Sequence, residues 1–379
     1  MNFLATAKTA MNLLATAKTV RELTGKPMSQ QLLEAFVSRL GKQRIGISEY
    51  FEYGLWDPEL SANERAEFIG WRTSAELDRR FNSDYSRVLA NDKLISYLLL
   101  HSLGFPIPLP LATFSASRRR IANEATLCTR DDVHHFLAST AYPVFAKPIS
   151  AGYGRGAAGL AGFDGTHVHL LDGTSVEFEK FFAPFEFLPF QGMLFQECAA
   201  SHPAIRELTG STAICCIRMI CLVTRHETVI HTAFFKVVTG RNMLDNFSHG
   251  DYGNLLATID TEHGVITHAI RRMGPEGAIE QHPDTGKTLI GFRLPNWNEA
   301  VAMVREASHH FPGLGIQNWD VALTPTGPVL IELNTESELA VPQAINRRGM
   351  MDDRLRHALR ILDEERQAAT NSALSGWHA

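Results

Sequence analysis

Two spacings of apolar residues alternate along this chain. Near the start, Leu32, Leu33, Phe36, Val37 and Leu40 recur at helical spacing, which predicts a helix over 28–41 closed by Gly41. Ahead of it, Asn2 to Ala10 is repeated almost unchanged as Asn12 to Val20. A period of ten is too short for a solenoid. Lys8 and Lys18 interrupt the apolar positions, so neither a signal peptide nor a membrane span is predicted. The repeat reads as an amphipathic helix running toward Arg21, ended by Gly25 and Pro27, that packs on the domain or on a second subunit. Tyr50, Phe51, Tyr53, Trp56, Phe68 and Trp71 then mark a mostly helical, aromatic-rich region whose rings are expected in a core.

From about Tyr142 the pattern turns to short strands. These are 142–148, 193–199, 214–223 and 228–238, followed by a hairpin over 319–334. Residues 343–368 read as a helix charged toward its end, and 369–379 as a frayed tail.

The chemistry concentrates in those strands. In the hairpin, Thr324-Pro325-Thr326-Gly327-Pro328 is a turn flanked by β-branched and apolar runs. Folding about it sets Asp320 near Glu332, with Asn334 two residues on and on the same face. Facing like charges are destabilising, and a cation between them relieves the repulsion. Two carboxylates and an amide oxygen suit Mg²⁺, which keeps waters and bridges to phosphates. A hairpin whose acids are simply solvated fits the same pattern.

Lys147 ends an apolar strand just before Ser150, Gly152, Gly154 and Gly156, where backbone N–H groups can wrap an anion. This is neither a Walker loop nor a dinucleotide fingerprint. Arg218 is the one polar residue in the strand 214–223 and needs an anionic partner, either a carboxylate or a phosphate.

Composition adds little to this. A net charge of −5, with no basic run beyond Arg118-Arg119-Arg120, gives no sign of a nucleic-acid partner, and no membrane partner is expected. Five cysteines lack Cys-x-x-Cys spacing, which suggests reduced thiols and a cytoplasmic protein. The pairs His134-His135, His167-x-His169 and His309-His310 lack the spacing of a zinc protease.

The order of these parts resembles the ATP-grasp superfamily. The runs Asn91-Asp92-Lys93, His202-Pro203, Asp245-Asn246-Phe247, Trp319-Asp320-Val321 and Ile331-Glu332-Leu333-Asn334 are most similar to its sugar-transfer-associated branch, over roughly residues 85 to 355. The resemblance implies an α/β (α+β) fold with two α+β subdomains gripping ATP. The division expected is a helical region 1–85, an N-terminal lid subdomain 86–200, a C-terminal catalytic subdomain 201–365 and the tail 366–379.

By likeness to D-alanine–D-alanine ligases, Lys93 and Lys147 would touch nucleotide phosphates. Ser150, Gly152 and Gly154 would belong to a loop closing over the γ-phosphate. Gln196, Glu197 and Cys198 would line the adenine edge. Arg218 would stabilise the transferred phosphoryl group, with Arg241 and Asn246 meeting that group or the substrate carboxylate. Asp320, Glu332 and Asn334 would hold one or two Mg²⁺ ions, or Mn²⁺ in their place. Two features depart from the pattern. The acidic ribose-binding residue expected a few positions after the hinge is not obvious, since His202 stands about there and Glu207 comes later, and the loop 246–251 lacks the Gly-Gly of many relatives.

The activity implied is ATP-dependent joining of a small carboxylic acid to an amine through an acylphosphate, releasing ADP and phosphate. Phosphoryl transfer to another acceptor, and a non-catalytic nucleotide-binding protein, remain the alternatives. A homodimer is left open.

Overall fold

The computed structural model describes residues 3–117, 125–150, 156–186 and 192–376. Gly152, Gly154 and Arg118–Arg120 lie outside the described residues.

Two sheets organise the chain. The first contains β1 (Pro110–Phe114), β2 (Ala125–Leu127), β3 (Val144–Pro148), β4 (Ala158–Phe163), β5 (His167–Leu170), β6 (Ser175–Glu177) and β7 (Met193–Glu197). Its order is β2-β1-β7-β3-β4-β5-β6. The second contains β8 (Cys216–Val223), β9 (Thr228–Val237), β10 (Leu255–Asp260), β11 (Val265–Ile270), β12 (Ile316–Thr324) and β13 (Gly327–Asn334), in the order β11-β10-β9-β8-β12-β13. Every pairing in the second sheet is antiparallel. Mixed helices and sheets make this an α+β protein with two sheet-based units behind a helical N-terminal region, as expected.

Strand alternation sorts the second sheet into two faces. Ile217, Met219 and Cys221 of β8, Phe235 and Val237 of β9, and Trp319, Val321 and Leu323 of β12 face one core, shared with helix Trp297–Ser308. Cys216, Arg218, Lys236 and Asp320 are on the opposite face, toward the first sheet. The helix Lys93–Ser102 sits between the sheets. Its Leu94, Tyr97 and Leu100 belong to the same buried cluster as Ile149 and Leu194 of the first unit and Phe235 and Val237 of the second.

The predicted N-terminal helices form as Phe3–Thr24 and Met28–Leu40. Gly25, at φ +74°, ends the first in a conformation costly to a residue with a Cβ. Tyr50, Phe51, Tyr53, Trp56 and Phe68 are buried together with Ala17 and Val20, so this region has its own core. Two expectations need correction. Trp71 is largely exposed, as the first residue of helix Trp71–Phe81. The helix expected over 343–368 is two helices, Ala340–Asn346 and Asp353–Gly376, and the second runs on past residue 368 into the stretch read as frayed.

Asp78, buried on helix Trp71–Phe81, ties that region to the segment after β13 by accepting the Ser337 N–H at 2.9 Å. Its other oxygen is buried without a partner. Burial therefore raises its carboxyl to about 6, against the partial relief of the Ser337 bonds. A raised carboxyl pKa means that the folded chain holds a proton which the unfolded chain has released. Its contribution to stability is present below the unfolded value near 4 and is lost as pH rises through about 6. Asp78→Asn keeps an acceptor for Ser337 and removes the charge. It should be more stable than the parent by about 2 kcal/mol above pH 7, and indistinguishable from it near pH 4, in melting curves across pH. A variant less stable at high pH would contradict this.

Candidate active site

The hairpin forms where the sequence places it, and the register pairs Asp320 with Glu332 and Asn318 with Asn334. On the other side of β12, Asp320 pairs with Arg218 of β8. Arg218 in turn pairs with Phe234 of β9, two residues before Lys236. Alternation and register thus gather four charged side chains from four neighbouring strands onto one face.

They meet at a cavity of about 650 Å³ between the two sheets. Lys93, Lys147, Ser150, Arg218, Asn246, Asp320, Glu332 and Asn334, all expected at the site, line it. Arg241, also expected there, is exposed and outside the lining; its charge helps to lower the carboxyl of Asp172, on the turn between β5 and β6, which the Thr174 bonds lower most. Gln196, Glu197 and Cys198 do not line the cavity. Gln196 is buried on β7 with its Oε1 unpartnered, Glu197 is exposed, and the Cys198 thiol is half-buried, its pKa raised by that burial.

The carboxylates are already held by cations of the chain. Arg218 donates from Nε to Asp320 Oδ1 at 2.6 Å and from Nη2 to Oδ2 at 2.9 Å. Lys236 Nζ donates to Asp320 Oδ2 at 3.2 Å and to Asp245 Oδ1 at 3.1 Å. Asp245 Oδ2 accepts the Cys216 N–H at 2.9 Å. Lys93 Nζ lies 3.0 Å from Glu332 Oε1, and an Arg218 amine lies 3.6 Å from Glu338. So Arg218, read as needing an anion, has found a carboxylate, and that carboxylate is the expected metal ligand itself. The repulsion invoked between Asp320 and Glu332 is relieved by Arg218, Lys236 and Lys93.

The charge states follow. Burial alone would raise the Asp320 carboxyl; Arg218 and Lys236 outweigh it and hold the pKa at about 2. Burial would lower Lys236, but Asp245 and Asp320 raise it instead. Lys147 differs. It is buried, its Nζ donates to the Tyr97 hydroxyl at 2.7 Å and sits 4.8 Å from the centre of the Tyr97 ring. Among the described residues no carboxylate pairs with it directly, and burial lowers its pKa despite the more distant pull of Glu332.

Sequence reasoning passed over Lys236, Glu338 and Tyr97, and named Asp245 only within a matching run, with no role at the site. Lys236 was findable, because it interrupts an apolar strand just as Arg218 does. Backbone strain also gathers here. Ser248, His249 and Glu338, three of the six non-glycine residues with positive φ among the described residues, line the cavity.

A hard divalent cation fits this donor set. Among the described residues no three His, Cys, Asp or Glu side chains are grouped to hold a metal alone. Asp320 and Glu332 would share it with phosphate oxygens and water, as Mg²⁺ commonly requires. Asn334 Nδ2 is buried without a partner, and turning that amide over, at no cost in volume, would present its oxygen.

The profile of the sugar-transfer associated ATP-grasp family matches residues 72–358. The chain belongs to that family. No curated protein matches it. Among solved structures, N5-carboxyaminoimidazole synthase from Aspergillus clavatus is 11% identical, with a TM-score of 0.37, over 75% of this chain and 58% of that one. VanG D-Ala:D-Ser ligase from Enterococcus faecalis is 15% identical, with a TM-score of 0.39, over 74% and 64%. L-amino acid ligase from Bacillus licheniformis is 10% identical, with a TM-score of 0.38, over 70% and 48%. The chain thus spans less than two thirds of the length of each.

The Arg218–Asp320 bond should behave as a buried pair. Arg218→Met leaves Asp320 with Lys236 only and should cost roughly 3–5 kcal/mol in urea unfolding. Adding Asp320→Leu removes the stranded charge, so the double variant should be less damaged than the sum of the singles by about 2 kcal/mol or more. Additive losses would mean that the two side chains do not support each other.

Proposed function

We propose that the chain is an ATP-dependent ligase. It would activate a carboxylate as an acylphosphate and join it to an amine, releasing ADP and phosphate. The observation that carries this reading is Lys147, an ammonium buried beside the cavity with a tyrosine hydroxyl and, among the described residues, no directly paired carboxylate. An uncompensated buried cation is costly, and an anionic ligand in the cavity removes that cost.

In this reading Lys93 and Lys147 meet the nucleotide phosphates from the helix Lys93–Ser102 and from β3. Arg218 and Lys236 stand across the cavity, fixed in direction by Asp320, Asp245 and Glu338, and face charge as it develops on the transferred phosphoryl oxygens. Donors aimed in advance cost no reorganisation when that charge appears. Asp320, Glu332 and Asn334 would hold Mg²⁺, which neutralises and orients phosphate oxygens. Asn246, on the loop after β9 and lining the cavity, would meet the acid to be activated; Arg241 would reach the cavity only with movement of that loop.

The test is ADP and phosphate release with panels of acids and amines, with mass spectrometry of the products. An amide product supports the ligase. A phosphorylated product without an amide supports the phosphotransferase reading instead. No ADP with any acceptor sinks both.

Lys147→Met should weaken ATP binding by at least about tenfold and adenosine binding little, because the lysine meets phosphate and not base. Equal losses in calorimetry would point to damage of β3. Asp320→Asn or Glu332→Gln should abolish ADP production; near-normal turnover at limiting Mg²⁺ would remove those residues from the metal site.

A further inference from the structure

Helix Met28–Leu40 is mounted inside out. Gln31, Glu34, Ala35 and Ser38 face the protein, and Leu32, Leu33, Phe36, Val37 and Leu40 face water. The inward side is held by polar bonds. Gln31 Nε2 donates to the carbonyl oxygens of Ala17 and Lys26 at 3.1 and 2.9 Å, and Glu34 accepts from Lys26 Nζ at 2.9 Å and from the Tyr50 hydroxyl at 2.6 Å. These bonds fix the orientation, so the outward apolar stripe is a built feature. The preceding helix adds Met11, Leu14 and Leu23. Eight of the fourteen large apolar side chains left exposed among the described residues lie between Met11 and Leu40. A soluble surface rarely gathers so many in so short a stretch without a partner.

Charge identifies the partner. Residues 1–44 carry seven basic side chains (Lys8, Lys18, Arg21, Lys26, Arg39, Lys42, Arg44) and two acidic ones (Glu22, Glu34), a net of +5. The whole chain carries −5, which leaves −10 on the rest. Arg21, Arg39 and Lys42 are exposed, with no carboxylate partner among the described residues. A second copy of the chain would bring +5 against +5, which like-charge repulsion opposes.

We propose that the two N-terminal helices dock this protein on an anionic lipid surface, lying in its plane. The apolar stripe enters the headgroup boundary and the basic residues meet the lipid charge. The negative remainder, repelled by the same surface, is held facing away from it. Among the described residues no helix is long and apolar enough to cross a membrane, so the attachment is peripheral. This departs from the expectation of no membrane partner, which rested on the lack of a membrane span where Lys8 and Lys18 interrupt the apolar positions. It is independent of the ligase reading.

The test uses the full chain, sedimented with phosphatidylcholine vesicles with and without phosphatidylglycerol, at low and high salt. The wild type should pellet only with the anionic vesicles, and less at high salt. Leu33→Ser/Phe36→Ser/Leu40→Ser should lower the partition coefficient by at least about tenfold. Arg39→Glu/Lys42→Glu should lower it as well while melting with the wild type. Should the serine variant fail to fold, the charge variant and the salt dependence still decide. Failure of the wild type to pellet with anionic vesicles would overturn the proposal. So would a dimer in analytical ultracentrifugation that the serine variant dissolves, because the stripe would then belong to a second copy.

Discussion

Asp320 is buried on β12 of the second sheet with its charge intact, and Arg218 and Lys236 are what make that tolerable. Each of these cations would itself be too costly to bury alone. The three hold one another, and Asp245 and Glu338 brace the two cations from outside. The register of β8, β9, β12 and β13 is the geometric expression of this arrangement. A slip of one residue on any of these strands would turn a charged side chain into the apolar core beneath and a core side chain into the cavity. The charged face and the apolar face therefore specify the same sheet from its two sides.

Lys147 is the exception that gives the cavity a direction. Across the space, positive and negative groups are paired within the chain, whereas the first sheet contributes an ammonium that, among the described residues, bonds to Tyr97 and to no carboxylate. A polyphosphate entering there would be met by an unshared cation first and by the shared ones beyond. With a divalent cation taking over part of the load on Asp320 and Glu332, Arg218, Lys236 and Lys93 would be freed to face phosphate oxygens. On the proposed reading the internal ion pairs keep the catalytic groups aligned while the cavity is open.

Much of this was legible in the sequence because it rests on local pattern. The hairpin, its turn, the pairing of Asp320 with Glu332 and the lysine at the end of β3 follow from period-two alternation and turn chemistry. What pairs with Arg218 could not be read, since β8 and β12 are adjacent in space but about a hundred residues apart in sequence. Lys236 escaped notice although the rule that picked out Arg218 applies to it equally. Arg241 was placed by nearness in sequence to the site, but the turn at Gly240, with φ +60°, comes just before it and the side chain is left at the surface. The N-terminal stripe shows the opposite limit. Helical periodicity identified the helix correctly, but periodicity does not say which side faces the protein. Gln31 and Glu34 decided that by bonding to Ala17, Lys26 and Tyr50.

The most direct measurement is a crystal structure of the full chain with Mg²⁺ and a non-hydrolysable ATP analogue. The account predicts the triphosphate between the sheets, a phosphate oxygen within hydrogen-bond reach of Lys147 Nζ, and the metal ion in contact with Glu332 and Asp320. Nucleotide density outside that cavity, or a triphosphate inside it with Lys147 still bonded only to Tyr97, would contradict it.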